Sequence, residues 1–326
     1  MNQRYNAMAT ALLASLVAFA ANGVQADEAL SDVELPASGY QAGKSYFGAN
    51  RCIEYIAGDG PLIVVAPHGG HVVPEGIPMR VPRPRGDANS QEYARGLARE
   101  FLALTGKHAH VIVNHIPKQY FSGTDDRETA SRGYPRLMAC WDSFHGYIEA
   151  AKAKAIGDWG AGHYLECHTR GGGRKIDVGL GWTGKVLDAS LEKGAWYLKS
   201  RRNTLRNLVN RPGVDLLEAV RGGTSLGGLL EGHGYTAIPS PKHPSPGEMP
   251  YFLSGKNCWK HGFNESRGAI DATHLEVHWS YIKPDVRPEF EKALADSVVT
   301  FLETHYGFKL RSRLPQPRDA GSPGDH

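Results

Sequence analysis

Leu62-Ile63-Val64-Val65-Ala66 runs straight into Pro67-His68-Gly69-Gly70. Five apolar residues in a row, without alternation, predict a strand buried on both faces. The proline, histidine and glycines after it predict a loop leaving the sheet at the strand's carboxyl end. Two-sided burial belongs to parallel sheets covered by helices, so this stretch sets the fold class. Outward from it, short apolar runs alternate with helical patterns. Ser90 to Leu104 has helical spacing, with Ser90 placed as a cap and Gly106 as a stop. Val111 to Val113 reads as the next strand, Leu137 to Ile156 as a long amphipathic helix, and His163 to Cys167 as a further strand. Ile176 to Leu180, Tyr235 to Ile238 and Thr273 to Trp279 also read as strands, and Ala195 to Val209 and Phe290 to His305 as helices. The alternation predicts an α/β fold: one domain with a central mixed, mainly parallel sheet flanked by helices. No internal repeat or domain boundary interrupts it.

Composition narrows the class further. The chain has 326 residues, of which 39 are Gly, and it carries 37 Lys+Arg against 34 Asp+Glu. The glycines lack a three-residue period and the aliphatic and aromatic residues are plentiful, which excludes collagen and a disordered chain. A formal charge of +3, with no long basic run, excludes a nucleic-acid reading. The 15 histidines, several beside Gly and acidic residues, point to metal or acid–base chemistry.

Residues 1–26 read as a secretory signal peptide: a polar start with Arg4, an apolar core from Ala9 to Ala21, and Val24-Gln25-Ala26 as the cleavage site. The apolar run is shorter than the roughly 20 residues a membrane span requires. The mature chain is therefore expected to be periplasmic or secreted, without membrane insertion. It comprises one domain over 27–310 and a disordered tail over 311–326. Cys52, Cys140, Cys167 and Cys258 would meet an oxidising compartment, where three full pairings are open to them.

In open α/β sheets ligands bind at the carboxyl ends of the strands. His68 and Glu75, in Pro67-His68-Gly69-Gly70-His71-Val72-Val73-Pro74-Glu75, offer a nitrogen and an oxygen donor close together. His168, at the end of the His163 strand and followed by Gly171 to Gly173, supplies a distant third. Two close ligands and one remote histidine suit a catalytic zinc site that keeps a position for water. Glu166, two residues before His168, shares its face of the strand and could support it, whereas Cys167 points the other way into the core. Glu276 sits mid-strand between Leu275 and Val277, with His274 and His278 on its face. A carboxylate there can act as general base and then as general acid to the leaving amine. Asn114, Lys118 and Arg127 leave the Val111 strand, and Arg127 is suited to gripping a carboxylate.

These blocks, with Asn114-His115-Ile116-Pro117-Lys118-Gln119-Tyr120, Glu166-Cys167-His168-Thr169-Arg170 and Tyr251-Phe252-Leu253-Ser254-Gly255, occur in an order that resembles the N-formylglutamate amidohydrolase family. That family is related in fold to the zinc carboxypeptidases. The resemblance runs from about residue 62 to 282. It implies one zinc ion per chain on His68, Glu75 and His168, Glu276 as the catalytic carboxylate, and Arg127 on the substrate's carboxylate. It also implies that His261 lines the pocket.

Two other readings compete. Gly223-Thr224-Ser225-Leu226-Gly227 matches the nucleophile elbow of serine α/β-hydrolases, with Asp271 and His274 or His278 downstream in triad order. A non-catalytic periplasmic binding protein on the same fold is the second. The elbow, however, requires a buried strand entering Gly223, and Glu218 to Gly222 does not read as one. The favoured expectation is an exported zinc-dependent amidohydrolase acting on an N-acyl amino acid or small peptide with a free carboxylate.

Overall fold

The all-apolar Leu62–Ala66 run becomes strand β3, buried on both faces in the middle of an eight-stranded sheet. The computed structural model describes residues 39–80, 86–264 and 269–311. The expected signal peptide and residues 312–326 of the expected tail lie outside the described residues. Among those described, no helix is long and apolar enough to cross a membrane.

The strands are β1 (Ser45–Phe47), β2 (Ile53–Ile56), β3 (Leu62–Ala66), β4 (His110–Asn114), β5 (Gly162–Arg170), β6 (Ile176–Gly179), β7 (Ala237–Ile238) and β8 (Ile270–His278). Their order across the sheet is β1-β2-β4-β3-β5-β8-β6-β7. β4, β3, β5 and β8 run parallel in the centre, β1 and β2 add an antiparallel edge, and β6 turns back against β8 with β7 parallel to it.

The helices are α1 (Ser90–Thr105), α2 (Arg127–Ser131), α3 (Pro135–Trp159), α4 (Gly184–Lys193), α5 (Ala195–Lys199), α6 (Arg206–Val209), α7 (Leu216–Arg221), α8 (Leu226–Gly232), α9 (Lys256–Cys258) and α10 (Arg287–Tyr306). A π-turn over Trp259–Asn264 continues from α9. Strand alternation divides the apolar residues between two layers. Leu62, Val64, Leu165, Cys167 and Leu275 pack with Leu97 and Phe101 of α1 and Leu294 of α10. Ile63, Val65, Ile112 and Tyr164 face the other way, onto Phe144 and Ile148 of α3. Each fully buried aliphatic side chain contributes about 1.5–3 kcal/mol, so both layers are needed to hold the sheet.

Three expectations change. The helix expected over Ala195 to Val209 is two short helices, α5 and α6. Between them Asn203 takes the amide of Leu205 on its side chain, and Thr204 hydrogen-bonds Ala272 of β8 with both its hydroxyl and its carbonyl. Side chains that satisfy the backbone locally compete with the helix ladder and stop it. Ser90 is the first residue of α1 and not its cap. The cap position is Asn89, in left-handed backbone, while the Ser90 hydroxyl is turned to the carbonyl of His68. The edge strands β1 and β2 have no counterpart in the sequence reading, because Glu54 interrupts an otherwise apolar run.

Glu54 has its own role. Its carboxylate accepts hydrogen bonds from Ser45 of β1 (2.9 Å) and Arg95 of α1 (2.5 Å), and lies 2.9 Å from the His115 ring. Burial pushes its pKa up, but His115, Arg95 and Ser45 together outweigh burial and bring it to about 2 from 4.5. A carboxyl whose folded pKa is depressed adds stability above its unfolded pKa and loses it as pH falls towards the folded value. Glu54→Gln should therefore cost about 2 kcal/mol at pH 7. Urea unfolding curves at several pH values should show that gap between wild type and variant closing below about pH 4.5. A gap independent of pH would show that the carboxylate's charge does not hold this edge.

Candidate metal centre and active site

The parallel strands β3, β5 and β8 end on the same side of the sheet and bring their terminal residues together. His68 follows β3 by one proline. Its loop turns away at once through Gly69, at φ 89°, and Gly70, where a Cβ would fall 2.0 Å from the backbone of His115. The His68 carbonyl accepts from Ser90 (3.2 Å) and Gln91 (3.1 Å), and Gln91 also donates to the Asn114 carbonyl at 2.7 Å. On β5, the carbonyl of His168 accepts from the Tyr93 hydroxyl at 3.0 Å. Helix α1 thus clamps the backbone of both histidines.

The third member of the cluster is Asp87, in the turn before α1. Its Oδ2 lies 2.6 Å from Nδ1 of His68 and 3.6 Å from Nδ1 of His168. Its Oδ1 accepts from the Thr169 amide at 3.1 Å. All three residues are buried, and their donor atoms lie close enough together to hold one ion. Nδ1 of His68 and Oδ2 of Asp87 have no hydrogen-bond partner despite their proximity. They meet as a close pair outside hydrogen-bond geometry, an arrangement that suits two groups turned toward one shared ion. Two imidazoles and a carboxylate form a donor set suited to zinc.

The far side of each imidazole is also held. Nε2 of His68 lies 2.9 Å from the Ser122 hydroxyl, itself 2.8 Å from Thr124. Nε2 of His168 lies 3.0 Å from Glu166 Oε1, and the Tyr164 hydroxyl donates to the other Glu166 oxygen at 2.6 Å. Such carboxylate–histidine pairs fix which nitrogen is left for a metal. The strand pairing sets Glu166 opposite His274 and His168 opposite Glu276. His274 lies 3.4 Å from Glu166 and 3.2 Å from Glu276, with its ring stacked on His168 at 4.3 Å. Glu166, His168 and His274 form a second buried group with convergent donors, sharing His168 with the first.

The charges follow from this packing. Burial, beside the positive charges of His168 and Lys118, brings His68 down to about 4 although Asp87 opposes the shift. Burial also disfavours the charged form of His168, but Asp87 and Glu166 flank it and raise it to about 10. Burial pushes Asp87 upward, and its two histidines hold it far below the carboxylate range. Glu276 is likewise pushed up by burial and brought down, on balance, by its hydrogen bond to His274 and the charges of His168 and His274. It is an ionised carboxylate at neutral pH.

Glu276 opens onto a cleft of about 250 Å³ shared with Arg170, Gly171, Pro250, Tyr251 and Phe252. Asp177 of β6 stands opposite Glu276 in the sheet and is fully buried. Arg170 and Lys175 both pair with it, so that one carboxylate carries two cations. The amide of Phe252 donates to Asp177 as well, at 3.2 Å, which ties the cleft's wall to this group.

His68 and His168 therefore meet at Asp87, Glu276 stands opposite His168 in the strand pairing, and Lys118 stands at the edge with Nζ 3.6 Å from Asp87. Glu75, expected beside them, is exposed, and the carboxylate that reaches both histidines is Asp87. Arg127 opens α2 at the surface and is bound by both carboxylate oxygens of Asp142, at 2.7 Å each. Asn114 is buried with its side chain spent on the backbone: it donates to Pro67 and Ile116 carbonyls and accepts from the Ile116 amide. It shapes the His68 loop from below. His261 is enclosed, 2.9 Å from His145 and 3.0 Å from Glu149, and stacks on Tyr164 behind the site. Ser225 caps α8: it accepts from the Gly228 amide and donates to the Gly222 carbonyl. The chain enters that turn from helix α7, not from a strand. Asp271 accepts from the amides of Asn207 and Leu208 and the hydroxyl of Tyr306, so it is not available to a triad.

No protein-family model matches the chain, and no curated protein sequence does. Among solved structures it is similar to N-formylglutamate amidohydrolase from Ralstonia eutropha JMP134, at 14% identity and TM-score 0.45, over 78% of this chain and 97% of that one. It is also similar to a gene product from Agrobacterium tumefaciens, at 12% identity and TM-score 0.43, over 78% of this chain and 94% of the other.

The geometry separates the two carboxylates by experiment. Asp87→Ala and His68→Ala should each abolish stoichiometric zinc binding to the purified folded chain, measured by elemental analysis after dialysis. Glu75→Gln should bind as wild type does. Metal retained in Asp87→Ala and lost in Glu75→Gln would return the third ligand to Glu75.

Proposed function

We propose that this chain is an exported, zinc-dependent amidohydrolase. Its substrate is an N-acyl amino acid or small peptide bearing a carboxylate, cleaved by water with Glu276 as general base. The observation that carries the reading is the convergence of His68 Nδ1, His168 Nδ1 and Asp87 Oδ2 at a buried point, with the His68–Asp87 pair outside hydrogen-bond geometry. The ligand set is accordingly His68, Asp87 and His168. A zinc ion held there supplies Lewis acidity toward a carbonyl oxygen and acidifies a water molecule.

The chain's own groups do the rest. Glu276, ionised and partly open to the cleft, takes a proton from water as the oxygen adds to the acyl carbon. It then delivers that proton to the nitrogen as the C–N bond breaks, so that amide and water become carboxylic acid and amine, which ionise to carboxylate and ammonium in water. His274 orients Glu276 through its 3.2 Å contact. Glu166 holds the His168 ring, and Ser122 the His68 ring. With Arg127 engaged at the surface, the arginine beside Glu276 is Arg170, which lines the cleft while paired with Asp177. Gly171 brings backbone, without a side chain, to the wall of the cleft.

Metal-loaded protein assayed on N-acyl amino acids should lose about 10²–10⁴-fold in kcat with Glu276→Gln, with zinc content unchanged. Ser225→Ala should remain active, at the stability cost of one lost helix cap, about 1 kcal/mol. Full activity in Glu276→Gln would remove the base from this mechanism, and loss of activity in folded Ser225→Ala would favour the serine hydrolase.

A further inference from the structure

The Glu276 cleft does not end at Arg170. A second cavity, of about 470 Å³, shares Arg170, Gly171 and Pro250 with it and continues on the far side of the glycine turn. Arg174, Lys175 and His243 line this second lobe together with the apolar Ile238 and Met249, and none of its lining residues is acidic. Lys175 is committed to Asp177, as is Arg170. Arg174 is exposed, with its guanidinium 5.0 Å above the Tyr281 ring and no ion pair among the described residues. Gly172 and Gly173, which line the second lobe, lie at φ 75° and 55°, left-handed backbone that favours glycine.

This arrangement asks for a particular kind of ligand. Charges around the glycine turn are unequal: Asp177 and Glu276 match Arg170 and Lys175, and Arg174 is left as the excess cation, on the second lobe. An extended peptide advances at most about 3.3–3.6 Å per residue, so lengthening the substrate beyond the Glu276 lobe carries its end toward the lobe that adjoins it through Arg170, Gly171 and Pro250. Apolar walls beside a guanidinium that lacks an anionic partner suit the end of a short peptide.

We infer that the second lobe is a subsite for the terminal carboxylate of a peptide whose acylated residue lies at Glu276. The preferred substrate is then an N-acyl dipeptide or longer acidic peptide and not a single N-acyl amino acid. Arg174 is the residue that reads the terminal carboxylate. This rests on the amidohydrolase reading for the position of the scissile bond, but the subsite itself can be tested by binding alone.

The test uses the zinc-loaded Glu276→Gln chain, titrated calorimetrically with N-acetyl-glutamate, an N-acetyl dipeptide acid and the same dipeptide as its terminal amide. The dipeptide acid should bind at least about tenfold more tightly than either of the others. In the Glu276→Gln/Arg174→Ala double variant that advantage should vanish, and Arg174→Lys should restore part of it. Equal affinities for acid and amide, or no effect of Arg174→Ala, overturn the subsite whatever the enzyme hydrolyses. If the preference is present while metal-loaded wild type cleaves none of the three, the subsite stands and the amidohydrolase reading falls.

Discussion

One carboxylate oxygen, Oδ2 of Asp87, sits between the Nδ1 atoms of two histidines that come from different strands. Burying a carboxylate costs several kcal/mol unless its charge and lone pairs are met. Here they are met by two imidazoles, the Thr169 amide and, at longer range, Lys118. That requirement propagates outward. The two strands must end level, which the parallel register of β3 and β5 provides. Their terminal loops must be immobilised, and four side chains, those of Ser90, Gln91, Tyr93 and Asn114, hydrogen-bond the backbone of those loops. The turn before α1 supplies Asp87, and the start of α1 supplies three of those four. Helix, strands and site are therefore one construction, in which His68, Asp87 and His168 converge closely enough to hold one ion.

The electrostatics of the cleft follow from how β6 joins the sheet. Its antiparallel pairing with β8 sets Asp177 against Glu276, and two neighbouring carboxylates would raise one another's pKa. Arg170 and Lys175 prevent this by pairing with Asp177. Glu276 is left as the carboxylate facing the cleft, steadied by His274. The same two cations are matched by two carboxylates, Asp177 and Glu276, which balances the charge around the cleft.

Much of this was legible in the residues. The unbroken Leu62–Ala66 run marked the central strand, and position at strand ends marked His68 and His168. Glu276 was conspicuous because a carboxylate inside an apolar strand needs a partner. What could not be read was spatial proximity without sequence proximity. Asp87, in Arg85-Gly86-Asp87-Ala88-Asn89-Ser90, looks like any polar turn before a helix, whereas Glu75 lies close to His68 in the chain but on a loop that turns outward. Arg127 has the chemistry of a carboxylate grip and spends it on Asp142. Asn114 stands at a strand end like His68, yet its amide serves the backbone. Side-chain type gave the chemistry on offer, and only packing decided which groups remained free to use it.

The central claim is a zinc ion on His68, Asp87 and His168. Diffraction at the zinc absorption edge from crystals of the zinc-loaded chain tests it most directly. One anomalous peak per chain, about 2.0–2.2 Å from Nδ1 of both histidines and from Asp87, is the predicted result. No peak there, with zinc found on Glu75 or on exposed histidines such as His71, would contradict it.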